Sequence, residues 1–319
     1  MSKKVLGVSF GRKMGNTEVM IKHALMECEK AGNEVKFIRA DELDIKICTG
    51  CISCVVGMVS GRGKGNCPIK DDFHILEEAL MECDAVIVGS PTYVLSPTGR
   101  FKTVCDRLGP SHDITFRKVT YEEGLQKGKK EEELPDVRSF KPRVGALISV
   151  GGAMTKNWLA FNLPVMYEFT MSMGIDVIDM YEYHGAMAYE HVLGNEVVMN
   201  RSKAIGQHIV EALEATSEEE RTKWRSEEEG ACPVCHCDMM TISKDKTYVE
   251  CPVCGIRGEL SLEDGKIRTR FSKEERERSR LTYAGKLEHS TEIKTCAVGP
   301  GQIPNLKELK QPYIQYGQQ

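Results

Sequence analysis

At 319 residues, 41% hydrophobic and 28% charged, the chain can build one large core with a smaller appended unit, and this composition excludes wholesale disorder. A formal charge of −4 with no local basic patch gives no general attraction for nucleic acid or anionic lipid. No stretch approaches the roughly 20 apolar residues of a membrane span, and the start MSKKVLGVSF lacks the apolar centre of a signal peptide, so a cytoplasmic protein is expected, with neither nucleic acid nor membrane as a partner.

The elements alternate. Lys4 to Ser9 reads as a strand, Asn16 to Lys30 as a helix, Val35 to Ile38 as a strand, Asp72 to Met81 as a helix and Ala85 to Val88 as a buried strand. Gly99 to Leu108 (helix), Val144 to Val150 (strand), Thr155 to Met173 (helix), Ile175 to Met180 (strand) and Glu196 to Leu213 (helix) complete the rhythm. Five strands alternating with helices predict an α/β, doubly wound parallel sheet that binds ligands at the C-terminal strand ends. Two segments interrupt it: a Cys- and Gly-rich loop between Cys48 and Pro68, and a charged insertion from Pro110 to Lys141, read as a solvated excursion. The expected units are residues 1–215 with a cysteine loop at 47–70, an acidic linker at 216–230, a cysteine-knuckle unit at 231–270, and a charged helix and tail at 271–319.

Three loops carry a binding signature. After the first strand, Ser9, Arg12, Gly15, Asn16 and Thr17 combine small polar side chains, glycine, a cation and a helix start, the makings of a nest for a phosphate monoester. After the third strand, Pro91, Thr92, Tyr93 and Val94 form a turn whose backbone can run beside a flat heterocycle. After the fourth, Ser149, Gly151 and Gly152 allow close backbone approach to a ring. In their order and placement, over roughly Met1 to Leu213, these loops resemble those of the NADPH-dependent FMN reductase family and its flavodoxin-like relatives. The resemblance implies FMN with its phosphate in the first loop and its ring between the other two, and a flavodoxin-like strand order of 2-1-3-4-5. Phe10-Gly11 departs from the small, Pro-containing turn usual there.

Thirteen cysteines in a reducing compartment point to metal or redox ligands. Cys48, Cys51 and Cys54 form a C-x2-C-x2-C run followed by Cys67-Pro68, a spacing suited to a [4Fe-4S] cluster, with zinc or no ligand as alternatives. This segment and its following Asp71-Asp72 resemble the cysteine motif of iron-sulfur flavoproteins, although the gap before Cys67 is longer. That likeness implies a homo-oligomer, dimer or tetramer, bringing cluster and flavin together. Cys232, Cys235, Cys251 and Cys254 form two C-x2-C knuckles that predict a Zn2+ ribbon, with mononuclear iron as the rival because CPVCG also matches a rubredoxin knuckle. His236 and Cys237 are spare, Trp158 reads as core, His184 as structural, and Cys28, Cys83 and Cys105 as apolar fillers.

The leading expectation is an FMN- and iron-sulfur-dependent oxidoreductase reducing a small acceptor, fed by NAD(P)H or ferredoxin. The alternatives are an NAD(P)H-dependent flavin or quinone reductase with structural zinc, and a redox sensor that recruits a partner through its ribbon.

Overall fold

The computed structural model describes residues 2–298, 303–314 and 316–317. At its centre run five long parallel strands: β1 (Lys4–Ser9), β2 (Glu34–Arg39), β3 (Ala85–Tyr93), β5 (Arg143–Val150) and β6 (Ile175–Tyr183). The two-residue β4 (Ser96–Pro97) folds back antiparallel on the end of β3. The spatial order is β2-β1-β3-β5-β6, which for the long strands alone is the expected flavodoxin-like 2-1-3-4-5. β3 and β5 are buried along their apolar runs because both faces of the sheet are covered. Helices α1 (Asn16–Lys30) and α7 (Glu196–Glu214) cover one face through Met20, Ile21, Ile205 and Ile209; α3 (Phe73–Glu82), α4 (Gly99–Arg107) and α6 (Asn162–Met171) cover the other through Leu76, Phe101 and Phe169. Gly206 lets α7 approach α1 closely: a Cβ there would stand 2.2 Å from the Ala24 carbonyl oxygen.

Three local expectations are corrected. The helix expected over Thr155 to Met173 is a 3-10 turn at Lys156–Trp158 followed by α6, which starts only at Asn162. Pro164 explains the start: it fits a first helical turn but removes a donor and clashes with the preceding turn inside a longer helix. In consequence Trp158 is exposed rather than core. The insertion at 110–141 is not a solvated excursion, since α5 (Ile114–Gln126) is capped by Asp113, whose Oδ1 accepts from the N–H groups of Thr115 and Phe116 at 3.0 Å, and Phe116 is fully buried. The cysteine loop also holds a helix, α2 (Ser53–Val59); its Val55 and Met58 pack with Phe116, and Ile293 lies against them.

The chain then continues through α8 (Glu218–Thr222) and lays the linker along the edge strand β6, where Arg225 N–H donates to the Ile178 carbonyl at 2.8 Å, covering an otherwise open sheet edge. Beyond it, β7 (Thr241–Ile242), β8 (Val249–Glu250), β9 (Arg257–Glu263) and β10 (Lys266–Arg270) form a four-stranded antiparallel sheet in the order β10-β9-β8-β7. The stretch Thr241 to Glu250 is thus a small hairpin. The charged run after it forms the short, exposed α9 (Lys273–Glu277). α10 (Tyr283–Val298) returns to the main body, with Lys286 buried against Asp113 at 3.3 Å, and α11 (Leu306–Ile314) is exposed. Part of the expected tail, including Gln318 and Gln319, lies outside the described residues. No described helix is long and apolar enough to cross a membrane.

Candidate flavin cleft and cysteine sites

The first loop leaves β1 with Phe10 turned into the core, its ring 4.9 Å from that of Phe101 edge to face. This accounts for the unusual Phe10-Gly11: the phenylalanine fills the core, and the glycine is required because a Cβ would stand 2.9 Å from that of Thr17. The loop is braced from within, Ser9 Oγ accepting from Gly11 N–H at 3.2 Å and Arg12 O from Gly15 N–H at 3.0 Å. Gly15 caps α1 with no side-chain hydrogen bond, so neither Asn16 nor Thr17 consumes the donors of the first turn. Free N–H groups at a helix start, with Arg12 exposed beside them, are what a phosphate needs. Glu18 in that same turn would repel an anion, but it is fully buried against Arg39 (2.6 and 3.2 Å) and reached by Lys22 at 2.6 Å. Burial pushes its carboxyl up; the hydrogen bonds from Arg39 and Lys22 more than reverse this and bring it to about 2.

The second loop is a hairpin between β3 and β4. Val94 (φ 49°) and Leu95 (φ 71°) both adopt the left-handed conformation, a two-residue turn normally given to Asn and Gly. The turn lifts Tyr93, 60% exposed, beside the first loop and leaves Val94 at the tip, 94% exposed. The third loop zips to the end of β6, with Gly151 N–H donating to Tyr183 O at 2.8 Å and Ala186 N–H to Gly151 O at 3.0 Å.

Together these loops enclose a cleft of about 250 Å³, lined by Arg12, Gly15, Asn16 and Thr17, by Pro91, Thr92 and Tyr93, and by Gly152. Ser9 and Ser149 lie buried beneath it. Uncapped helix donors, an arginine, glycine-shaped walls and an upright tyrosine fit a flavin mononucleotide. Sequence reasoning missed four contributors. Ala186 and Met187 form the far wall. Val192 N–H donates to Asn16 Oδ1 at 2.9 Å and orients it. Asn162, wholly buried, donates from Nδ2 to Thr92 Oγ1 at 2.6 Å and to Ser149 Oγ at 2.8 Å, tying the second loop to the third. A lone asparagine carries no periodic or spacing signal, so nothing in the sequence marked its place.

The two cysteine sets differ. Among the described residues, Cys232, Cys235, Cys251 and Cys254 alone form a group of three or more possible ligands within 4.8 Å of one another, and all four are buried. Cys232 and Cys254 sulfurs are 3.6 Å apart, Cys235 and Cys251 3.4 Å, and Cys254 N–H donates to Cys251 Sγ at 3.4 Å. Hydrogen bonds from the other thiols, Cys232 first, hold Cys251 well below its ordinary value. This buried, all-sulfur set fits a tetrahedral metal ion. The two knuckles turn through left-handed residues, His236 (φ 56°) and Gly255 (φ 72°). His236 is held by stacking on Trp224, centroids 3.7 Å apart, so it shapes the turn and is no ligand; Cys237 also falls outside the set.

Cys48, Cys51, Cys54 and Cys67 are not brought together in this way. The first two are exposed and the others half-buried. The base of their loop is nonetheless firm: Arg107 pairs with Asp71 at 2.5 Å, both side chains about 1% exposed, and Asp71 also accepts from Lys46 N–H at 2.9 Å. The hydroxyl of Ser53, followed by its backbone N–H, draws the Cys51 thiol below its usual value. Cys28, Cys83 and Cys105 are buried as expected, and burial raises each thiol. His184 pairs with Glu182 at 2.8 Å.

The sequence model of a family described as NADPH-dependent FMN reductase matches residues 4–163. A flavone synthase of Aspergillus candidus is 29% identical over 322 residues, covering 99% of this chain and 96% of that protein. An iron-sulfur flavoprotein of Archaeoglobus fulgidus is 27% identical over 222 residues, covering 67% of this chain and 96% of its own length. The solved structure of a flavone reductase superposes with a TM-score of 0.80 at 26% identity, covering 98% of this chain and 97% of that one.

Proposed function

This chain belongs to the NADPH-dependent FMN reductase family and is a flavin-dependent oxidoreductase, and from that premise we propose that it passes two electrons from a nicotinamide nucleotide to a small, planar, conjugated acceptor of the flavone type. FMN, when bound, supplies reversible two-electron transfer. Arg12, Gly15, Asn16 and Thr17 would hold its phosphate, and Pro91, Thr92, Tyr93 and Gly152 would flank its ring, with Val94, Ser149 and Gly151 shaping the two loops that carry those residues. The observation that carries the acceptor class is the apolar exposure at the cleft: Tyr93 and Met187, which line it, are large and exposed, a surface that a flat aromatic substrate would cover. The relatives named for flavones match this chain nearly end to end, ribbon included. In the reaction a hydride and a proton add across a conjugated carbon-carbon double bond of the acceptor while NAD(P)H becomes NAD(P)+.

Anaerobic incubation with FMN, NADPH or NADH and unsubstituted flavone tests this reading. The expected result is flavone-dependent loss of absorbance at 340 nm and a product two mass units heavier; nucleotide oxidation indifferent to flavone would overturn it. For Cys232, Cys235, Cys251 and Cys254 the reading is a structural Zn2+, because closed all-thiolate sites leave no open coordination position. We also take the protein to be a cytoplasmic homo-oligomer.

A second reading, an iron-sulfur flavoprotein with a [4Fe-4S] cluster on Cys48, Cys51, Cys54 and Cys67, is supported by the cysteine run and by the likeness to proteins of that name. It would require the loop to draw its thiols together around the cluster. Iron and acid-labile sulfide in stoichiometric amounts after anaerobic preparation would favour it.

A further inference from the structure

The segment that gives Val150 and Gly152 to the flavin cleft gives Lys156, Leu163 and Pro164 to a second cavity of about 260 Å³, lying between α6, the end of β6 and the first cysteine knuckle. Its walls are chiefly apolar: Leu163, Pro164, Met180 and Met239 face the space, and methionines let such a wall adapt to the outline of a ligand. Four charged side chains border it. Lys156 pairs with Asp238 across it, each neutralising the other, so that Glu182 and Glu228 carry the remaining charge, which is negative. Glu182 is the buried one, its side chain 7% exposed. Its carboxylate receives the Ser149 hydroxyl at 3.4 Å and pairs with His184 at 2.8 Å. A carboxylate has about four acceptor positions, so Glu182 keeps acceptor capacity toward the cavity.

We propose that this cavity is a binding site for a small one-ring aromatic molecule bearing a hydrogen-bond-donating, non-anionic polar group, a phenol or an amine. Its ring lies between Leu163, Pro164, Met180 and Met239, and its polar group donates to Glu182. At about 260 Å³ and with chiefly apolar walls the cavity matches one aromatic ring. An acid is disfavoured, because its charge would meet Glu182 and Glu228 in a partly water-excluded space. The site is distinct from the flavin cleft and independent of which acceptor that cleft takes.

Four probes test it on the full-length protein loaded with FMN and metal, by isothermal titration and saturation-transfer NMR: tyramine, p-cresol, toluene and 4-hydroxybenzoate. Tyramine and p-cresol should bind, toluene at least about tenfold more weakly for want of a donor, and 4-hydroxybenzoate not measurably. Glu182→Gln should weaken tyramine about tenfold, and Leu163→Trp should abolish binding by filling the space. Met239→Phe serves the same purpose should the tryptophan variant not fold. Tyr93→Ala, in the flavin cleft, should leave probe binding unchanged. Failure of all four probes to bind, equal affinity for 4-hydroxybenzoate and p-cresol, undiminished binding in the filled cavity, or loss of binding in Tyr93→Ala would each overturn the proposal.

Discussion

The two cysteine-rich segments begin from similar raw material and end in opposite states. Both offer four thiols in closely spaced motifs, yet only the C-terminal set converges, buried, with its sulfurs 3.4 to 3.6 Å apart in pairs. There, each knuckle is a rigid turn with a left-handed residue after its second cysteine, and two such turns facing each other leave their thiols few other places to point. The N-terminal set is strung over a glycine-rich excursion and a seven-residue helix, clamped at its base by Asp71 and Arg107 but open where its cysteines lie. Spacing specifies which residues can share a ligand; the backbone between them decides whether they already do.

The contrast can be broken most sharply at Cys251. Cys251→Ser should reduce bound zinc from about one equivalent to none and cost upwards of about 3 kcal/mol in stability, since metal binding there is coupled to folding of the two knuckles, with metal analysis and thermal unfolding as the checks. Next in size is the clamp of the other segment. Arg107→Ala leaves a buried carboxylate without its partner and should destabilise by about 3–5 kcal/mol in urea unfolding. If the loss is below about 1 kcal/mol, the excursion is no better anchored than a surface loop.

A pH series gives a smaller effect of definite sign. Burial pushes the Asp71 carboxyl up, but hydrogen bonds from Arg107 and from the N–H groups of Lys46 and Phe73 prevail and hold it below its usual range. A depressed folded-state value means a contribution fully present above the unfolded value of about 3.9 and lost as pH falls through the folded one. The urea midpoint should therefore fall between pH 6 and pH 3, and less steeply in Asp71→Asn. The smallest effect belongs to Cys48→Ser with Cys51→Ser: both side chains are exposed, so stability should stay within about 0.5 kcal/mol and zinc content should not change. Lost iron and sulfide in that variant would instead show that the N-terminal thiols assemble around a cluster.

Strand order, the helices flanking the first three strands and the three cleft loops were legible because each rests on a local rule: a continuous apolar run, helical spacing, a glycine turn at a strand end. The misreadings have a common origin in long-range packing. The insertion read as solvated because Lys and Glu dominate it, yet Phe116 and Leu134 suffice to fasten it to the body. Met187 lines the cleft, and Asn162 and Val192 brace its walls, from elements whose placement depends on the whole sheet. Trp158 looked like core because it stands at helical spacing within the helix expected over Thr155 to Met173, which begins only at Asn162.

The turn at Val94 and Leu95 carries its own lesson for protein engineering. Two branched aliphatic residues occupy backbone conformations that asparagine and glycine hold at lower cost, and one of them stands almost entirely in water. Grafting Asn-Gly into this hairpin should raise the melting temperature. A thermostabilised version that lost turnover would identify those two greasy side chains as a gripping surface maintained at the expense of robustness.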